Sequence, residues 1–560
     1  MAPARNLIWI GAAGVAATKQ DARMAESLKA VIIIFTISLG GFVYARAAFG
    51  EIVDGRTIDR WRNVFLAATL AAFLIPNFWL FLFAVGLIAI ALGASEKNKP
   101  ALYLVLLFAL PVADAIVPGF GGIQNFLALF PFNILAIVIL WPMLFARQEN
   151  RELHPIGSIA DYFFIAYSLL MLALAFRDTT VTDGFRQSTA FILTTIGPYL
   201  VFSRINWTKE RLKATTLAFV LPLIIMSAIA LVEVVLRWHP YKSAIDHWDI
   251  AERVRYTFRS GYLRAFTSVF APISFGLFLA AAVPLAMALI SSMQRKMLAI
   301  GGLAALGVGL LATFSRGPWI GAALAVVAFV FTSDRPFKNL TRLGLIGTAG
   351  FLALSVTPIG DQIIGLLPFV GDSSTSSIDY REQLMDIGWS VAMETRWFGS
   401  EDFMSHPAMQ QLVQGQGIID IVNSYLRVTL ESGLVGLFLF VGVSFFSALS
   451  AWRAIGAARA ADPEFAVYGQ AWLAALASTL LVIATTSSVV AQVAEVHWLL
   501  CGMCVGFARS AEALRLAAPA TAPANIPPEP PPPPRAAAPK PSIAAHSLPP
   551  HLRQYADREK

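Results

Sequence analysis

The sequence predicts an all-α fold: a polytopic bundle of about fourteen transmembrane helices, twelve to fifteen by the same criterion, with one long outer loop containing short helices. Three observations carry this. Of the 560 residues, 57% are hydrophobic and only 14% charged, against roughly 25% charged in a soluble domain, so too few polar residues exist to surface several globular domains. Apolar runs close to the 20 or so residues needed to cross hydrocarbon recur along the chain. Lysines and arginines cluster between those runs, as the positive-inside rule asks of cytoplasmic loops. The net charge of +7 and pI near 9.4 therefore speak of membrane topology rather than nucleic acid. The same composition excludes an ordinary soluble enzyme, a disordered chain, and a collagen-like or disulfide-stapled protein.

Residues 1–29 form an N-terminal segment whose apolar stretch 7–17 reads as an interfacial helix, since no cleavage site frames it as a signal peptide. The earlier helices occupy 30–360, with spans near 30–49, 63–94, 101–118, 127–146, 159–176, 188–204, 213–238, 266–293, 297–315, 317–333 and 340–360. The 63–94 run holds a Pro76-Asn77 break. Counting basic loops back from Arg509 and Arg515 keeps it as one span. That count sets the N-terminus inside with Lys19, Arg23 and Lys29, and leaves Arg56, Arg60 and Arg62 in an outer loop. Residues 361–424 are the long loop, acidic and outside. Residues 425–515 hold the last helices, with spans near 425–451, 466–488 and 493–513. Residues 516–560, with five prolines from Pro530 to Pro534, are a disordered cytoplasmic tail. Cys501 and Cys504 lie in the last apolar run and read as small core residues, not a redox pair.

A loop longer than about 15 residues is functional or unstructured, and 361–424 carries helix signals. Asp379-Tyr380-Arg381-Glu382 fits a capping box with Asp379 as N-cap, and Leu384, Ile387 and Val391 follow at helical spacing. This predicts an amphipathic helix over 380–395 lying on the membrane domain. Arg381 then falls in its first turn, where the helix dipole disfavours a cation; an anion, or Glu382 or Asp386, would hold it. A second outer segment, 239–265, is basic and aromatic. Arg264 ends it. Arg316 sits on a hairpin tip between two apolar runs, with Gly317 for the turn and Pro318 opening the next helix. One arginine at a membrane edge commonly snorkels to headgroups; several converging on one cavity would instead match phosphate oxygens. Gly433 and Gly436 show small-xxx-small spacing, which brings helices close.

In this order the chain resembles the O-antigen ligase and O-antigen polymerase superfamily. The resembling residues are several spans, the Ser315-Arg316-Gly317 tip, a loop with Arg381, Trp389 and Phe398-Gly399, then Asn423-Ser424-Tyr425-Leu426 and Gly433-Leu434-Val435-Gly436. The resemblance covers roughly 260–450. It implies an inverting membrane glycosyltransferase of the bacterial inner membrane, active at the periplasmic face. Glycan would move from an undecaprenyl-pyrophosphate carrier to an acceptor glycan, without metal, nucleotide or other cofactor. It also implies the lipid bilayer, a flippase and a chain-length co-polymerase as partners, and no nucleic acid. Arg264 and Arg316 would face the pyrophosphate, with Arg381 assisting. Asn423, Tyr425, His406 and Trp389 would bind substrate. Asp420 or Glu401, or else His406, would take the acceptor proton. Ligases carry histidine where this chain has Val422 before Asn423. That departure favours polymerisation of an exopolysaccharide or O-antigen repeat unit over ligation to lipid A–core. A transporter or flippase of lipid-linked sugars is the alternative of another class. It predicts charged pairs deep in the membrane, for which Asp114, Glu233, Glu495 and His497 are the few candidates.

Overall fold

The computed structural model describes residues 5–118, 125–145, 154–248, 250, 254–357, 375–414, 417–486 and 491–517. The tail from 518 onward and residues 361–374 of the long loop lie outside them. The described residues are mostly helical. Six helices are long and apolar enough to cross a membrane: Met24–Phe49, Lys209–Leu236, Pro272–Ser291, Ser424–Ala461, Pro463–Ile483 and Ala491–Ala517. Phe78–Ala91, Pro131–Phe145, Ile159–Leu174, Lys296–Ala312 and Arg316–Phe331 are shorter apolar helices beside them. Much of the helices Lys209–Leu236, Pro272–Ser291 and Ala491–Ala517 is buried in protein, so their apolar residues are not confined to one stripe; Leu217, Leu221, Leu277, Leu279, Leu499 and Leu500 are fully buried. Val43, Phe83, Phe438 and Phe445 instead point outward from their helices, as side chains meeting hydrocarbon do.

The first hundred residues differ from the sequence expectation. One helix runs from Arg5 to Phe49, so the expected N-terminal segment and first span are continuous. The 63–94 run is two helices, Gly55–Leu74 and Phe78–Ala91. Asn77 separates them, its side chain accepting from the backbone N–H groups of Trp79 and Leu80 as an N-cap. The pair folds back on itself. Arg60 meets Glu96 at 2.9 Å, and the Trp61 indole donates to the same carboxylate. At the other end the Trp248 indole donates to the Ile75 carbonyl.

This reverses the expected topology of the N-terminal region. Glu26 accepts from the Trp238 indole at 2.7 Å, and Lys29 lies over that ring. Residues 26–29 therefore sit at the end of the bundle that carries 238–248. Glu51 accepts from the Gln294 backbone N–H, so Arg56, Arg60 and Arg62 join the opposite, cation-rich end with Arg295 and Lys296. With Pro76-Asn77 a turn rather than a kink, Arg56, Arg60 and Arg62 leave the outer end, and Lys29 takes a place there beside Trp238.

The 101–118 run is not one span either. A short helix, Lys99–Leu107, passes into extended chain, and Ala115–Pro118 pairs antiparallel with Asn125–Leu129. Residues 101–107 are buried in protein, and an apolar run reads alike whether it meets lipid or other helices. The loop helix is Thr375–Glu394, longer than expected. Asp379 is thus inside it and not its N-cap, and Arg381 lies in the second turn.

Candidate active site

The Lys209–Leu236 helix ends at Arg237, whose φ of 51° is left-handed. In its last turn Glu233 is fully buried and accepts from the backbone N–H groups of Phe266 (2.9 Å) and Thr267 (3.2 Å). His239 Nδ1 stands 3.2 Å from the same oxygen, and the imidazole stacks on Phe266 at 3.6 Å between centroids. This buried pair pins the segment that follows Arg264.

That segment contains a two-stranded hairpin, Phe258–Arg259 against Tyr262–Leu263. Its turn residues Ser260 and Gly261 both have positive φ, at 50° and 79°, the geometry whose twist matches paired strands. The hairpin docks on the 313–316 tip. The Ala265 N–H donates to the Ala312 carbonyl at 2.9 Å, and the Tyr262 ring lies parallel to Phe314 at 5.3 Å. Arg259 Nη1 donates to the Phe314 carbonyl at 3.0 Å. Arg264 donates from Nε to the Thr313 carbonyl (3.2 Å) and from Nη2 to Ser315 Oγ (2.8 Å). Two guanidiniums thus grip the tip on which Arg316 opens its helix.

The charges of these side chains reach one another. Burial lowers the Arg259 pKa from its ordinary value, and the positive charges of Arg316 and Arg381 lower it further. Burial, then Arg259, pulls Arg264 down to about 10. Among the described residues no carboxylate pairs with Arg259, Arg264 or Arg381. Like charges gathered in a partly desolvated place are costly alone. An anion with several oxygens reverses that cost, because guanidinium forks match such oxygens. Arg264, Arg316 and Arg381 were sequence candidates. Arg259 was visible only as one of several arginines in a basic segment; the Ser260-Gly261 turn signal could have placed it beside Arg264.

The remaining sequence candidates divide. Asp420 lies beside the helix that carries Arg381: the Tyr380 hydroxyl donates to the Asp420 carbonyl and accepts from its N–H, both at 3.0 Å. Glu401 accepts from Gln187 Nε2 on another surface. His406 holds Glu394 with Nε2 at 3.2 Å, while Nδ1 caps Ala408 N–H. Asn423 Oδ1 caps the Ser424–Ala461 helix through Tyr425 and Leu426 N–H groups, and the Tyr425 hydroxyl donates to the Leu480 carbonyl at 2.8 Å. Trp389 is exposed on the loop helix.

Gly433 has a role other than the expected helix packing. It breaks the Ser424–Ala461 helix with φ 69° and ψ −170°. The 396–400 chain fits into that break. Leu434 N–H donates to the Arg396 carbonyl, and Ser400 N–H donates to the Leu430 carbonyl. Gly399, also at φ 69°, faces it. A Cβ on Gly433 would stand 2.3 Å from the Trp397 carbonyl carbon, and one on Gly399 would stand 2.4 Å from the Leu430 oxygen. Only glycine tolerates both the φ and the approach. Arg177 closes the junction with hydrogen bonds to the Phe398, Gly399 and Glu431 carbonyls.

Residues 301–441 match a family model described as O-antigen ligase. The match takes in Arg316, Arg381, Asp420 and Gly433 and leaves Arg259 and Arg264 outside it. Comparison with curated proteins gave no match.

Proposed function

We propose that this chain, which belongs through residues 301–441 to the O-antigen ligase and polymerase superfamily, polymerises carrier-linked glycan repeat units at the periplasmic face of the bacterial inner membrane. The donor is glycan on undecaprenyl pyrophosphate, and the acceptor is another glycan. One observation carries the reading: Arg259, Arg264, Arg316 and Arg381 share a field, and no carboxylate pairs with Arg259, Arg264 or Arg381 among the described residues. A lipid-linked diphosphate would bring them negative charge.

The chemistry follows from the leaving group. A hydroxyl of the acceptor attacks the anomeric carbon on the face opposite the diphosphate. The new glycosidic bond forms as the carbon–oxygen bond to the diphosphate breaks, so configuration inverts. The electron pair of the broken bond stays on the diphosphate, where the guanidiniums stabilise it. The hydroxyl proton passes to a base. Asp420, held beside Arg381 through Tyr380, is better sited for that than Glu401 or His406, which are engaged elsewhere. The diphosphate is already activated, so the protein's work is positioning and electrostatics, and no metal or nucleotide is expected.

Val422 in place of a histidine before Asn423 favours polymerisation. The description of the matching family favours the second reading, ligation of finished polymer to lipid A–core. Reconstitution with purified carrier-linked repeat unit, without nucleotide or metal, tests the proposal. Chain growth is expected, and Arg316→Ala, inserted normally in the membrane, is expected to abolish it. Wild-type-length polymer from that variant would refute the arginine mechanism. Single units transferred only to lipid A–core would replace polymerase by ligase.

A further inference from the structure

The four arginines account for a diphosphate but not for the sugar attached to it. Next to the Arg316 tip lies a cavity of about 290 Å³. Gly317 packs against Thr485, a Cβ there falling 2.2 Å from Oγ1. The next residue, Thr486, meets Ser424 Oγ at 3.3 Å, and Ser424 lines the cavity. Its walls come from the Pro131–Leu135, Ile159–Leu174, Val181–Phe191, Ser424–Ala461 and Ala491–Ala517 helices.

The lining has two characters. Tyr167, Phe440 and Trp498 form an aromatic corner, their ring centroids 5.2 to 6.0 Å apart. Arg427 and Glu431 add a charged pair one helical turn apart, joined at 2.6 Å. Asn133 is 3% exposed. Its Oδ1 accepts from Phe130 N–H at 2.9 Å, which turns the Nδ2 donors away from that bond, and Nδ2 has no partner among the described residues. A buried amide donor without an acceptor is uncommon and costly. A hydrocarbon chain would leave it so. A ligand with hydroxyl oxygens and an apolar ring face would satisfy the amide, the ion pair and the aromatic corner together.

We propose that this cavity is a glycan subsite that takes one pyranose ring. The ring's C–H face lies on the aromatic corner, and its hydroxyls bond to Asn133 Nδ2 and to the Arg427–Glu431 pair. The proposal rests on the glycan-transfer reading for the source of the sugar, which is either the carrier-linked donor or the acceptor.

Isothermal titration of the detergent-solubilised full chain tests it without turnover. The first probe is the repeat-unit oligosaccharide released from its carrier; the second is glycan-free undecaprenyl pyrophosphate. Asn133→Asp keeps the cap on Phe130 and removes the donor, and Glu431→Gln keeps volume and removes the charge. Each is expected to weaken the oligosaccharide at least tenfold and to leave the glycan-free lipid unchanged, the retained lipid affinity showing that the chain is folded. Arg264→Ala is expected to do the reverse. Oligosaccharide binding indifferent to both cavity variants overturns the subsite. So does glycan-free lipid weakened by them, since the cavity would then hold the polyprenyl chain. Lipid binding indifferent to Arg264→Ala instead overturns the diphosphate reading and leaves the subsite standing. In steady-state transfer the cavity variants raise KM for the donor or for the acceptor, whichever ring is held; a rise in neither overturns the proposal.

Discussion

Arg509 and Arg264 are both arginines drawn away from solvent, at opposite ends of the bundle, and their surroundings differ in kind. Arg509, whose side chain is 14% exposed, pairs with the buried carboxylate of Asp161 and donates to the Ser203 carbonyl. Asp161 also accepts from Gly157 and Ser158 N–H groups and from the Tyr199 hydroxyl. Every charge there has its counterpart inside the protein. Among the described residues Arg264 is held by a carbonyl and a hydroxyl, and the charge that acts on it is that of another guanidinium, Arg259. A buried cation with a matching carboxylate is a structural device. Under the proposed function, Arg259 and Arg264, which pair with no carboxylate among the described residues, instead meet an anion that comes from outside. The difference gives a way to tell basic residues that hold the protein together from those proposed to act on substrate.

Substitutions sharpen the comparison in order of size. Arg509→Ala strands a buried carboxylate and is expected to lower stability by about 3–5 kcal/mol, read as thermal unfolding in detergent, while the folded fraction keeps its transfer rate. Arg264→Ala is expected to raise the transfer barrier by about 2–4 kcal/mol, by analogy with a lost oxyanion donor, at nearly unchanged unfolding temperature. Were the two variants to behave alike, the distinction would fail. Glu233→Ala lies between them. It removes the acceptor for Phe266 and Thr267 N–H groups, so about 1–3 kcal/mol of stability is expected to go together with transfer rate as the arginine hairpin loosens. Rate loss without stability loss would show that Glu233 acts on substrate rather than on the hairpin. Arg46→Ala is the smallest. Its bond to Asp59 is at the surface, with Arg46 61% exposed, and about 0–1 kcal/mol is expected, within the scatter of unfolding curves.

The helical membrane class was legible from composition, and most later spans were legible from apolar runs, because transfer into hydrocarbon sums along contiguous residues. The first hundred residues were not. Pro76-Asn77 announced a break, but only contacts such as Arg60 with Glu96, or Trp248 with Ile75, tell a turn from a kink. Apolar 101–110 misled for a related reason, since burial in protein and burial in lipid select the same side chains. In the site, Arg264, Arg316 and Arg381 stood out by position, whereas Arg259 did not. Gly433 was noticed for its spacing to Gly436, a local pattern; its function as the slot for 396–400 depends on a segment more than 30 residues away.

By itself, the sequence determined a helical membrane protein, the cation-rich character of one end, and the tight Ser315-Arg316-Gly317 tip. These rest on transfer energies and backbone preferences that each short stretch carries alone. The tertiary structure decided which end the N-terminal helix begins at, which arginines share a field, and that Asn133 Nδ2 has no partner among the described residues. Those depend on distances between residues far apart in the chain, and Coulomb and hydrogen-bond energies fall off too steeply with distance for any local pattern to foretell them.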